Sequence, residues 1–94
     1  MGKNIVAGDY KGGEIKLSLT GKKVVLIKNG LLGNTKIELN KNTVEGINVI
    51  DSNTDLVLVF GLKITKVEIK FKNGKRCLAN VDQLIYDQLL NLMF

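Results

Sequence analysis

The sequence of 94 residues contains no histidine, no proline and no tryptophan, and it contains one cysteine. Without histidine, the chain lacks the side chain that most often acts as a general base at neutral pH and the commonest metal ligand. A single cysteine excludes an intramolecular disulfide, so we expect a reducing, cytoplasmic location. These absences argue against an enzyme, and the sequence predicts no cofactor.

Long hydrophobic runs are also absent. The longest are LVLVF at residues 56–60 and VVLI at residues 24–27, and neither approaches the roughly 20 residues of a transmembrane helix. The first residues lack the basic and then apolar pattern of a secretory signal. Because two separate cores in so short a chain would each be too small, we expect residues 1–94 to form one domain.

Alternation of apolar and polar residues dominates the chain and predicts β-strands. In segment 64–71, Val67, Ile69 and Phe71 share one face, and in segment 14–20 the face is shared by Ile15, Leu17 and Leu19. The clearest segments are 14–20, 23–28, 35–41, 43–51, 64–71 and 76–81. The alternation slips at Gly46, which predicts a β-bulge there. We expect about seven strands with short links, hence an antiparallel meander.

Turn residues separate these segments. Asn73-Gly74 is a pair that tolerates positive φ at both central positions, which predicts a type I′ turn. Thr20-Gly21-Lys22 indicates another tight connection, and residues 29–34 and 51–54 are predicted to be loops.

The period changes to 3.6 at the C-terminus, where the sequence predicts one amphipathic helix of about three turns. Asp82 has the properties of its N-cap, because its carboxylate suits the positive end of the helix dipole. Leu84 and Phe94 lie outside the apolar arc. The arc itself comprises Ile85, Tyr86, Leu89, Leu90, Leu92 and Met93.

Several segments resemble the small pleckstrin-homology-like (PH-like) domains of Gram-positive bacteria and their prophages. The resemblance lies in NIVAGDYKG near the start, IELNKNTVEGINVID in the middle and VEIKFKNGKRCLANVDQLIYDQLL near the end. It implies a mainly β fold, a PH-like antiparallel barrel of about seven strands closed by a C-terminal amphipathic helix. The function of that family is largely unassigned, so the resemblance implies no activity.

Three short motifs are better explained by structure than by chemistry. DSNTD at residues 51–55 begins like a calcium loop but lacks the later glycine and glutamate, so we interpret it as a polar turn. GDYKGGE at residues 8–14 lacks the lysine and the helix of a phosphate loop. Cys77 follows Arg76, yet its position within a predicted strand favours a buried thiol without a catalytic role.

Basic residues give the clearest functional hint. Lys66, Lys70, Lys72, Lys75 and Arg76 lie close together in the sequence and are opposed by Glu68 alone, so we predict a candidate anion-binding stripe. The alternative is a solvated outer face whose lysines discourage aggregation. Nucleic acid is the less favoured ligand, because Arg76 is the only arginine and Phe60 and Phe71 are expected to face the core.

Apolar residues that the helix does not bury suggest a second candidate surface. Leu84, Met93 and Phe94 form our candidate self-association site, and the alternative is that Phe94 folds back onto its own domain. The leading hypothesis is therefore a non-enzymatic interaction module that binds an unidentified protein or forms a homo-oligomer. The second hypothesis is weak binding to an anionic surface, such as acidic lipid, through the basic stripe.

Overall fold

A computed structural model describes residues 3–31, 33–53 and 64–94 of the chain. These residues form seven strands and one helix, which confirms the mainly β prediction. The elements in chain order are β1 (Ile5–Gly8), β2 (Glu14–Leu17), β3 (Val24–Gly30), β4 (Gly33–Leu39), β5 (Val44–Asn53), β6 (Ile64–Phe71), β7 (Arg76–Asp82) and α1 (Gln83–Met93).

The strands are arranged in two antiparallel sheets. One sheet has the order β1-β7-β6-β5 and the other has the order β2-β3-β4. Within the described residues no strand pair joins the two sheets, so the closed barrel stays a prediction. The core between the sheets includes Leu26, Val67, Ile69 and Phe71, all of them at most 2% exposed, which confirms the buried face predicted for β6.

The N-terminal segment links the two sheets at one corner. The Asn80 amide donates to the Asn4 carbonyl at 2.9 Å, which extends the pairing of β1 with β7. The Asn4 side chain accepts from the Ile15 amide at 2.7 Å and donates to the Ile15 carbonyl at 2.8 Å. One asparagine side chain therefore satisfies both backbone groups of Ile15, as a neighbouring strand would.

Helix α1 begins as the sequence predicts. The Asp82 carboxylate accepts from the Ile85 amide at 2.9 Å and caps the first turn. Ile85 and Leu89 are buried in the core, and Tyr86, Leu92 and Met93 pack against it. Because α1 contacts β2 and β3 of one sheet and β6 and β7 of the other, it holds both sheets together.

Two loop predictions differ from the structure. β5 continues to Asn53, with Asp51 opposite Lys66, so residues 51–53 are strand rather than loop; the rest of the DSNTD motif lies outside the described residues. β3 and β4 extend to the paired residues Gly30 and Gly33, so the predicted six-residue loop is a tight hairpin. The bulge at Gly46 is confirmed by a register shift between Val44 and Gly46.

The hairpin between β6 and β7 is not type I′. The Gly74 amide donates to the Phe71 carbonyl at 3.0 Å, and within the described chain only glycines have positive φ, including Gly74 at 88°. Asn73 therefore has negative φ, and the turn is type I followed by a left-handed glycine. The Asn73 side chain stabilises it by accepting from the Lys75 amide at 2.9 Å.

Replacement of Gly74 by valine is expected to lower the free energy of unfolding by more than about 1 kcal/mol, because a β-branched residue resists positive φ. Gly46→Val is the matched control, since Gly46 lies in a strand without positive φ and has open space around its Cα. Denaturation in urea measures both variants. Equal losses would show that the left-handed conformation of Gly74 is unimportant for stability.

Candidate functional site

Two residues of the predicted basic stripe project from the outer face of β6. Lys66 and Lys70 alternate with the buried residues Val67, Ile69 and Phe71. Lys72 is exposed beyond the end of β6, and Arg76 lies opposite Lys70 on β7. The structure thus brings Lys70 and Arg76 together and leaves Lys66 about 13 Å away along the strand.

Acidic residues interrupt this stripe. Glu68 lies between Lys66 and Lys70, and its carboxylate is 3.6 Å from the Arg76 guanidinium. Asp51 is the cross-strand neighbour of Lys66 on β5. Because opposite charges at this spacing partly cancel the field of the lysines, the outer face of β6 is a mixed surface with a weaker attraction for anions than the sequence predicts.

Lys75 lies apart from the stripe, at a cleft between loops. Its ammonium is 5.6 Å from the centre of the Tyr10 ring, and both line a cavity of about 670 Å³ with Asp9, Lys28 and Leu31. Tyr10 is 5% exposed, makes an edge contact with Phe71 and accepts from the Asn73 side chain at 3.2 Å. This anchoring of the β1–β2 connection on the core was not predicted.

The candidate self-association residues are placed on different surfaces. Leu84 is 69% exposed and Phe94 is 92% exposed, so Phe94 does not fold back onto the domain. Met93 is half-buried and packs against the core, so it is not part of an exposed surface. Leu84 and Phe94 are about 15 Å apart along the helix axis, and they do not form one contiguous patch.

Leu84 belongs instead to an apolar groove between β2 and the first turn of α1. The groove has a volume of about 490 Å³, and its apolar lining comprises Ile15, Leu17, Ile64, Leu84 and Ile85. The polar part of its lining comprises Lys3, Asn4, Glu14, Lys16, Asn80 and Asp82. These residues are up to about 80 positions apart in the chain, so the alternation pattern contained no signal for the groove.

Among the described strands, β2 pairs with β3 alone, and its other edge forms one wall of this groove. Ser18 bonds through its amide to Lys23 beside β3, whereas Ile15 bonds in the opposite direction to Asn4. Since backbone groups alternate in direction along a strand, the N–H and C=O of Leu17 point away from β3 towards the groove. A backbone donor and acceptor therefore lie beside an apolar surface.

Cys77 has the buried position that the sequence predicts. It is 1% exposed, and burial raises the pKa of its thiol to about 12, with a smaller contribution from the nearby Asp9 carboxylate. The thiol is therefore protonated at neutral pH, and the reactive thiolate is not populated. Among the described residues, no three histidine, cysteine or acidic side chains are close enough to hold a metal ion.

No helix in residues 3–31, 33–53 and 64–94 is long and apolar enough to span a membrane. A search of protein-family models, curated proteins and solved structures finds no match to this chain.

Proposed function

We propose that this chain is a non-enzymatic, cytoplasmic interaction module with a PH-like plan, and that it binds an extended segment of another protein. The binding site is the groove between the edge of β2 and the start of α1. The observation that carries the proposal is the exposure of Leu84, 69%, beside the backbone groups of Leu17. A folded domain gains no stability from an exposed leucine next to an open apolar groove, and such surfaces usually mark contact sites.

The geometry favours an extended peptide. A segment that adds to a strand edge forms backbone hydrogen bonds with that edge, and alternate side chains then enter adjacent pockets. In this groove Leu17 supplies the backbone groups, while Leu84 and Ile64 supply the apolar contact. Because Ile15 is already bonded to Asn4, the pairing is short, and we expect apolar contacts to contribute most of the affinity.

A second copy of the chain fits this groove less well. A symmetric dimer through this groove would pair β2 with β2, but Asn4 already occupies the backbone groups of Ile15 on that edge. Self-association through Phe94 is a separate hypothesis that concerns the other end of α1. Light scattering at about 100 μM tests it, because a micromolar contact would be formed at that concentration, and Phe94→Ser would then yield a smaller species.

The test of the groove uses peptides selected from a random 12-residue display library against the whole domain. We expect the selected peptides to shift the amide resonances of Leu17 and Leu84. Leu84→Gln is expected to weaken their binding about tenfold, because the apolar contact is worth about 1.5 kcal/mol. Phe94→Gln is the matched control and is expected to bind normally.

The proposal fails if selected peptides bind Leu84→Gln as tightly as the unmodified domain, or if the resonance shifts lie elsewhere. It also fails if no peptide is enriched over a library selected against the support alone.

A further inference from the structure

The turn between β2 and β3 holds one leucine entirely in solvent. Leu19 is 108% exposed relative to its reference state, although the alternation of segment 14–20 placed it with the buried Ile15. β2 ends at Leu17, because the chain turns at Ser18, whose amide donates to the Lys23 carbonyl at 2.8 Å. Leu19 therefore leaves the strand and projects from the tip of the hairpin.

Hydrogen bonds define the shape of this turn. The Gly21 amide donates to the Ser18 carbonyl at 2.9 Å, the Ser18 hydroxyl accepts from the Lys23 amide at 3.2 Å, and the hydroxyls of Ser18 and Thr20 are 3.2 Å apart. Gly21 has a φ of 75°, which suits glycine. The hydrogen bonds of this turn therefore hold Leu19 in its exposed position.

Lysines surround the base of the tip. Lys22 and Lys23 lie in the turn, while Lys16 and Lys36 lie on the outer face of the β2-β3-β4 sheet around Val25 and Ile27. Lys16, Lys23 and Lys36, together with Leu19, Val25 and Ile27, line a shallow depression of about 560 Å³. Lys22 is the exposed turn residue next to Lys23 and does not line the depression. Glu38 is 3.6 Å from Lys23. No described carboxylate lies within 4.0 Å of Lys16, Lys22 or Lys36, so their charges are available to a ligand.

We propose that this surface, defined as Leu19 with Lys16, Lys22, Lys23 and Lys36, docks onto an anionic lipid bilayer. The tip places one apolar side chain beyond several cations, and a bilayer surface has its anionic headgroups outside its acyl chains. Leu19 reaches the acyl boundary while the lysines stay among the anionic headgroups. The aliphatic stems of the lysines lie along the same boundary.

The composition of this surface favours lipid over nucleic acid. It contains no aromatic side chain on which a base stacks and no arginine that reads a base edge, and the fully exposed leucine has no role in a phosphate contact. The depression lies on the outer face of the sheet, whereas the peptide groove lies at the edge of β2 beside α1, and Lys16 lines both. The variants that test this proposal are therefore placed at Leu19, Lys22 and Lys36, which do not line the groove.

The experiment is co-sedimentation of the intact domain with phosphatidylcholine vesicles that contain about 30% phosphatidylserine. We expect binding to these vesicles and none to phosphatidylcholine alone. Each lysine near the surface contributes about fivefold to the partition coefficient, so the double variant Lys22→Gln/Lys36→Gln is expected to bind about twenty-fivefold more weakly. Leu19→Gln is expected to lose about tenfold, because the apolar insertion is removed.

Matched variants on other surfaces serve as controls. Leu31 is 106% exposed in the hairpin at the opposite end of β3, so Leu31→Gln removes an equally exposed leucine and is expected to leave vesicle binding unchanged. Lys66→Gln/Lys70→Gln removes the same number of charges from the β6 face and is expected to have an effect smaller than threefold. Circular dichroism verifies that each variant is folded.

Several outcomes would overturn the proposal. The first is equal binding to vesicles with and without phosphatidylserine. The second is that Lys66→Gln/Lys70→Gln weakens vesicle binding as much as Lys22→Gln/Lys36→Gln does. The third is that Leu19→Gln binds the vesicles as tightly as the unmodified domain. The domain could also bind heparin at physiological salt through the same lysines, without Leu19, and fail to bind vesicles. That result would assign the surface to a soluble polyanion.

Discussion

Replacement of Gly8 by alanine is expected to lower the free energy of unfolding by about 2–5 kcal/mol. Gly8 has a φ of 94°, and an added Cβ would lie 2.5 Å from the Arg76 carbonyl oxygen and 2.8 Å from the Cα of Cys77. The left-handed conformation costs an L-residue about 1–2 kcal/mol, and displacement of the packed backbone adds about 1–3 kcal/mol. For a domain with a total stability of about 5–15 kcal/mol, this is a large fraction.

Gly12→Ala is the matched control for this prediction. Gly12 has a φ of 90°, close to that of Gly8, but no atom lies within 4 Å of its added Cβ. We expect it to lose only the conformational cost of about 1–2 kcal/mol. Urea denaturation followed by circular dichroism measures the difference between the two variants. If both variants lose the same free energy of unfolding, the close approach of β1 to β7 at Gly8 does not contribute to stability.

The second large effect is expected at Asn4. Asn4→Ala removes both hydrogen bonds to the backbone of Ile15, and Ile15 is 1% exposed, so water does not readily replace them. Each unsatisfied buried group costs about 1–3 kcal/mol. Because these two hydrogen bonds are only partly buried, we expect a total loss in the lower part of the range for two such groups, about 2–4 kcal/mol. Hydrogen exchange at the Ile15 amide is expected to accelerate more than exchange in β6.

Two further variants make the Asn4 test specific. Asn4→Asp keeps an acceptor for the Ile15 amide but loses the donor to the Ile15 carbonyl, so it is expected to recover little of the stability. Asn48→Ala removes an exposed asparagine from β5 and is expected to change stability by less than about 0.5 kcal/mol. A loss in Asn4→Ala no larger than the loss in Asn48→Ala would contradict the proposed role of Asn4 in linking the sheets.

Local patterns in the sequence were sufficient where the physical cause is local. The alternation of β6 matches the faces of Val67, Ile69 and Phe71 because one sheet face is buried and the other is wet. Asp82 is the N-cap because a short acceptor side chain satisfies a free amide one turn ahead. The alternation slips at Gly46 because a β-bulge there shifts the register of β5 against β6.

Predictions failed where a distant partner decides the local conformation. Asn73-Gly74 is compatible with several turns, and the paired strands, together with the contact of the Asn73 side chain with Tyr10, select the type I form. Residues 51–53 have a turn-like composition but are held as strand by their partners on β6. β1 has too few residues to show a period, and its pairing with β7 defines it.

The candidate sites show the same division. Sequence alone determined a basic, mainly β chain with a capped, amphipathic C-terminal helix, and it identified Leu84 and Phe94 as residues outside the apolar arc of that helix. Only the tertiary structure placed Asp51 opposite Lys66, joined Leu17 to Leu84 in one groove and exposed Leu19 near lysines of two strands and a turn. Strand and helix patterns arise from neighbours within a few residues, whereas charge pairing, grooves and surface patches depend on which distant segments meet when the core is buried.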